Sequence, residues 1–180
     1  MSDNLKFKKM ETKKILLVDD DIDVINVLET ILTHEGYSVS YASNQKDGYE
    51  KALQIKPDLA ILDVMMTTQY EGFEMAKKLK SSPEFRNMPV IMLTSIEVLV
   101  TTRPDVQAIA REFRKDPDFK EMDVLLIKDV VSGKAGIDYK SEDGKSVWLP
   151  VDGFLAKPVD SKRILPEVKR LLNETLAEKA

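Results

Sequence analysis

Four short apolar runs in this chain end abruptly on polar residues, and that arrangement leaves few folds open. Ile15-Leu16-Leu17-Val18 stops on Asp19-Asp20-Asp21, Leu59-Ala60-Ile61-Leu62 on Asp63, Val90-Ile91-Met92-Leu93 on Thr94-Ser95, and Phe154-Leu155-Ala156 on Lys157-Pro158. Runs so short and so continuously apolar read as strands buried on both faces. Between them the period changes. Ile22, Ile25, Leu28, Ile31 and Leu32 recur at helical spacing, with Gly36 where a helix ends. Val39 to Ala42 is a further strand, and Ser43 or Asn44 caps a helix running to about Ile55. Lys56-Pro57-Asp58 breaks that helix, another spans Gly72 to Lys80, and a last one carries Ile164, Leu165, Val168, Leu171 and Leu172, with Pro166 starting or kinking it. Strand alternating with helix predicts a parallel sheet covered on both faces. In such sheets ligands bind outside the carboxyl ends of the strands, which is where these polar groups fall.

The composition narrows the functional classes. The chain of 180 residues is 43% hydrophobic and 32% charged, the balance of a globular domain. With 27 Lys+Arg against 31 Asp+Glu the net charge is -4, which argues against a nucleic-acid footprint. There is no cysteine, hence no disulfide framework and no thiolate metal site. The Lys-rich start lacks the apolar core of a signal peptide, and no apolar run approaches the roughly 18 residues of a membrane span. A soluble cytoplasmic protein is expected.

A parallel sheet gathers its strand ends into one crevice, so Asp19, Asp20, Asp21, Asp63, Thr94, Ser95 and Lys157 should meet there. Clustered carboxylates repel unless a cation joins them, and a hard divalent ion with oxygen ligands, such as Mg²⁺, relieves the repulsion. A carboxylate in that setting can attack phosphorus and form an aspartyl phosphate. The ion, a lysine ammonium and a threonine hydroxyl would neutralise the charge on the transferred group. Taken singly, each residue has a plain structural role. Asp20 or Asp21 serves as a helix cap, Asp63 as a turn residue, Thr94 as a capping hydroxyl and Lys157 as a surface charge. It is their order on successive strand ends that points to a site.

The segments "ILLVDDD", "PDLAILDVMM", "EGFEMAKKLK", "MPVIMLTS" and "GFLAKPV" resemble the response-regulator receiver domains of two-component signalling, over residues 14–96 and 151–175. The resemblance implies a doubly wound, five-stranded parallel sheet of the flavodoxin-like α/β class. It implies that Asp19 and Asp20 are the acidic metal pair for Mg²⁺, that Asp63 accepts the phosphoryl group, and that Met65 offers the metal its backbone carbonyl. Thr94 becomes the switch hydroxyl, Lys157 the phosphate-binding lysine and Phe154 the aromatic that changes rotamer. The Lys157–Pro158 bond is expected to be cis, and Asp21 to be a helix cap. The donor would be a histidine kinase or phosphotransfer protein. The sole histidine, His34, reads as a helix C-terminal residue rather than a donor.

Three features depart from the family. "TTQYEG" lacks the proline common after "DVMM" and looks a residue longer; Met65 and Ile96 are apolar; and 63 positions lead from Thr94 to Lys157. A helix, two loops and a strand need only about 25. The chain is therefore expected to be a single receiver domain over 1–180, with an N-terminal tail at 1–13 and an inserted helix and hairpin at about 101–150. Val106, Ile109, Ala110 and Phe113 mark the helix, about Pro104 to Lys115 and ended by Pro117. Val124 to Ile127 marks an added strand, "IDYK" and "KSVW" mark hairpin arms, and Trp148 is a candidate anchor on the body of the domain. Only 23 residues follow Lys157, so a stand-alone switch signalling through an unknown protein target is expected, not an enzyme, apart from slow loss of its own phosphoryl group. The alternatives are a haloacid-dehalogenase-like, Mg²⁺-dependent phosphohydrolase, in which Asp19 and Asp21 form the first motif and Asp63 has no role, and a degenerate receiver acting as a binding scaffold.

Overall fold

The computed structural model describes residues 10–68 and 70–179. The expected N-terminal tail therefore lies mostly outside the described residues, as does Gln69 in the "TTQYEG" loop. In chain order the first half runs β1 (Lys14–Val18), α1 (Ile22–His34), β2 (Ser38–Ala42), α2 (Gln45–Ile55), β3 (Leu59–Asp63), α3 (Glu71–Ser81) and β4 (Val90–Thr94). There follow β5 (Val98–Thr101), α4 (Val106–Phe113), α5 (Pro117–Lys120), β6 (Val124–Asp129), β7 (Ala135–Lys140), β8 (Ser146–Val151), β9 (Gly153–Ala156) and α6 (Ser161–Lys179). Among the described residues no helix is long and apolar enough to cross a membrane.

Five strands form the expected parallel sheet, in the order β2-β1-β3-β4-β9. Its central strands are apolar throughout because both faces are covered. Leu16, Val18, Leu62 and Met92 join one buried cluster with Phe73, Met75 and Leu79 of α3. Their neighbours Ile15, Leu17, Ile61 and Leu93 join another with Leu28 of α1 and Ile164 and Val168 of α6. Local chemistry sets the helix ends. Asp21 caps α1 by accepting from the Asp23 amide, and Gly36 takes a φ of 94° just past it. Asn44 caps α2 through the Asp47 amide.

The segment between β4 and β9 is larger than the expected helix, added strand and hairpin. It contains a second sheet of four strands, ordered β5-β6-β7-β8, in which β5 and β6 are parallel and the rest antiparallel. Strand β5 leaves no separate signal in the sequence because Val98–Thr101 is short and sits close behind β4. Alternation along β6 divides its side chains. Val124 and Leu126 face the main core with Phe73 of α3, whereas Leu125 and Ile127 pack on the stripe Val106, Ile109 and Ala110 of α4. The added sheet thus lies between α3 and α4. Trp148 does not anchor to the body of the domain: it packs with the α4 cluster and lies across Gly136, where an added Cβ would sit 2.2 Å from its ring. One further expectation is corrected: Pro117 opens α5 rather than ending α4. Of the two roles expected of Pro166, starting the last helix is set aside, because α6 starts earlier, at Ser161, and Pro166 lies inside it.

Candidate functional site

The carboxyl ends of β1, β3, β4 and β9 bring Asp19, Asp63, Thr94 and Lys157 into one crevice, and three backbone bonds hold those ends. The Asp19 amide donates to the Ala42 carbonyl at 3.2 Å, the Val64 amide to the Leu93 carbonyl at 2.9 Å, and the Lys157 amide to the Thr94 carbonyl at 2.8 Å. The Lys157–Pro158 bond is cis. Lys157 Nζ lies 3.0 Å from Asp19 Oδ2 and 3.0 Å from Asp63 Oδ1. Asp19 Oδ1 accepts from the Asp21 amide at 2.9 Å, and Asp63 Oδ1 accepts a longer bond of 3.4 Å from the Met65 amide.

Asp19 and Asp63 are buried and Asp20 is exposed, yet one oxygen from each lies within 4.8 Å of the others. Lys157 is the cation bonded to the two buried acids, so three carboxylates face one ammonium. Burial pushes the Asp63 carboxyl above its usual range, the Asp19 charge adds to the rise, and the Lys157 bond opposes it. Burial alone would lower the Lys157 ammonium, but the bonds to Asp19 and Asp63 outweigh it and raise its pKa. A cluster of hard oxygen donors with excess negative charge fits a divalent cation such as Mg²⁺.

Thr94 is fully buried, and its hydroxyl is engaged on its own loop, accepting from the Ile96 amide at 2.8 Å and donating to the Ile96 carbonyl at 3.2 Å. Phe154 sits opposite Met92 in the sheet and is buried in the cluster that includes Leu126 and Leu149 of the second sheet. Asp21 is the helix cap, as expected. Sequence reasoning missed Gly72. A Cβ there would lie 2.0 Å from the Asp63 carbonyl oxygen and 2.7 Å from that of Val64, so only glycine lets α3 start against the end of β3. The available signal was its place at the opening of "EGFEMAKKLK".

Comparison with known proteins supplies the family and the fold. Residues 15–127 match the response regulator receiver domain family. The match stops inside the second sheet, at Ile127, whereas the fifth strand of the parallel sheet is β9. Lys128, after the earlier apolar run, lies 3.8 Å from Glu167 and is not the lysine of the acid cluster. The alkaline phosphatase synthesis transcriptional regulatory protein PhoP of Bacillus subtilis is 39% identical over 83 residues, 46% of this chain and 33% of that protein. The response regulator PleD of Caulobacter vibrioides is also 39% identical over 83 residues, 46% of this chain and 18% of PleD. The chain thus spans a third or less of the length of these curated relatives. Among solved structures, a CheY-like receiver domain protein of Methanospirillum hungatei superposes with a TM-score of 0.60 at 23% identity, covering 93% of this chain and 99% of that one. Chemotaxis response regulator CheY4 of Vibrio cholerae gives 0.57 at 22%, covering 89% and 99%, and both show the shared fold.

The chain belongs to the response regulator receiver family, a class of phosphorylation-activated signalling domains rather than classical enzymes. The phosphohydrolase alternative left Asp63 without a role, and here Asp63 meets Asp19 and Lys157. The scaffold alternative is not favoured either, since the acid cluster and its lysine are intact.

Proposed function

We propose that Asp63 accepts a phosphoryl group from a histidine kinase or phosphotransfer protein, and that the chain then signals through a protein target. The observation that carries this reading is the buried pair Asp19 and Asp63 sharing the Lys157 ammonium at 3.0 Å each. Asp19, Asp20 and Asp63, with the Met65 backbone carbonyl, would hold Mg²⁺. When bound, the ion supplies positive charge beside the transferred oxygens. An Asp63 carboxylate oxygen attacks phosphorus while the bond from phosphorus to the donor nitrogen breaks, and the donor keeps that electron pair. Lys157, already bonded to Asp63, moves its ammonium onto a phosphoryl oxygen. Thr94 exchanges its bonds to Ile96 for one donated to another phosphoryl oxygen. Phe154 responds to that movement as the switch aromatic, within an equilibrium biased by the modification. A cytoplasmic location is part of the proposal, because a kinase donor draws on ATP.

The test is to treat the protein with a small phosphodonor, with and without Mg²⁺, and follow intact mass. One added phosphoryl group that requires the ion supports the reading. Calorimetry should show Mg²⁺ binding lost in Asp19→Ala/Asp20→Ala. Retention of wild-type Mg²⁺ affinity in that variant would defeat the metal assignment.

A further inference from the structure

Strand β5 is an open edge. Among the described residues its strand partner is β6, on one side only. Open edges normally carry a lysine, a proline or a bulge that blocks pairing. Val98-Leu99-Val100-Thr101 carries neither a charge nor a proline, and Val100 is 66% exposed.

The outward backbone groups can be assigned. The Thr101 carbonyl accepts from the Val130 amide at 2.9 Å, so Thr101 faces β6. Backbone groups alternate sides along a strand, so Leu99 also faces β6, and Val98 and Val100 face outward. A second strand can add to this edge only through Val98 and Val100.

We infer that the edge pairs with β5 of a second copy of this chain, antiparallel about a two-fold axis through Val100. The sequence around that centre is Glu97-Val98-Leu99-Val100-Thr101-Thr102-Arg103. In this register Val100 meets Val100 of the second copy, and each exchanges an N–H···O=C bond with the other. Leu99 meets Thr101, and Glu97 comes to the end occupied by Arg103, so opposite charges face each other twice. Both are exposed, and the Arg103 guanidinium is held at the edge by Glu112, at 2.9 Å from both carboxylate oxygens. A centre on Leu99 would also join outward groups, Val98 to Val100, but would set Glu97 against Thr101 and Arg103 against Ser95, with no opposite charges facing each other. A centre on Val98 would pair Glu97 with Leu99 and press the partner toward Thr94, where the chain leaves the main sheet. Among the registers that amide direction allows, charge therefore selects the one centred on Val100. The two four-stranded sheets become one continuous sheet of isologous symmetry.

The test uses the unphosphorylated full chain in sedimentation velocity from about 10 µM to about 1 mM, the range suited to a small interface. The wild type should show a concentration-dependent shift toward dimer. Val100→Lys places two ammonium groups on the axis and should weaken association about tenfold or more. Glu97→Arg alone and Arg103→Glu alone should each weaken it, because like charges then face each other. An equimolar mixture of those two variants should recover it, since in the mixed pair both contacts again join opposite charges. Circular dichroism confirms that each variant is folded. A wild type that stays monomeric across the range overturns the proposal, as does a Val100→Lys variant that associates like wild type. A mixture no more associated than its components overturns the register.

Discussion

The carboxylate of Asp63 is buried beside that of Asp19, and burial followed by the Asp19 charge raises its pKa although Lys157 opposes the rise. A raised pKa means the folded state holds the proton more tightly than the unfolded chain does. That contribution to stability is full below the ordinary carboxyl range, near about 4, and is lost as pH rises through the folded value. Ionised Asp63 is therefore a cost at neutral pH when no cation is bound. Asp63→Asn is expected to melt above wild type at pH 7 without Mg²⁺, with the gain shrinking as pH falls toward about 4. Thermal scans across pH read this, and an unchanged or lowered Tm at pH 7 would contradict the electrostatic account. Gly72 has a steric role. Ala is the better helix former by about 1 kcal/mol, but a Cβ at 2.0 Å from the Asp63 carbonyl oxygen forces the backbone apart. Gly72→Ala should lose about 1–3 kcal/mol in denaturant unfolding and should phosphorylate more slowly, because the displaced backbone is that of Asp63.

Among the elements, β4 and β5 are coupled through Thr94. Its hydroxyl holds the Ile96 amide and carbonyl, Ile96 packs against the main core, and β5 begins at Val98. If Thr94 turns to a phosphoryl group, Ile96 loses both bonds. With Mg²⁺ and beryllofluoride, the amides of Ile96 and Leu99 should exchange hydrogen faster in wild type. In Thr94→Ala they should exchange fast before and after, and identical responses in the two proteins would break the link. The parallel sheet was legible in the sequence because strands buried on both faces are apolar throughout, and their polar ends mark the crevice directly. The α4 stripe was legible from periodicity, β6 from its apolar run, and the arms of β7 and β8 from the turn residues beside them. The second sheet as a whole was not. Whether Val124 and Leu126 pack on α3, and whether Trp148 packs on α4 or on the body, depends on which distant surfaces meet, and no local spacing records that. Gly72 was hidden for the same reason, since its meaning comes from backbone contact with Asp63.

At the scale of the molecule, the second sheet contributes to the main core. Val124, Leu126, Ala135, Ile137 and Tyr139 share a cluster with Phe73 and Met75 of α3, and the Tyr139 hydroxyl donates to Glu74 at 2.9 Å. Side chains of the size of Val or Leu stabilise by roughly 1.5–3 kcal/mol each when fully buried, so several of them amount to a large share of a typical domain stability of about 5–15 kcal/mol. We propose that residues 14–179 unfold as one unit. Removing 116–147 behind a Gly-Ser bridge should leave α3 uncovered and abolish cooperative unfolding, as read by calorimetry; a deletion that still melts in one sharp transition near the wild-type Tm would show the sheet to be decoration. The proposed signalling depends on one bond, from phosphorus to an oxygen of Asp63. Borohydride reduction of the protein after treatment with a small phosphodonor and Mg²⁺ converts an acyl phosphate to an alcohol, and peptide mass mapping locates it. The expected result is homoserine at position 63 in wild type and no modification in Asp63→Asn; homoserine at another aspartate, or undiminished labelling of Asp63→Asn, would contradict it.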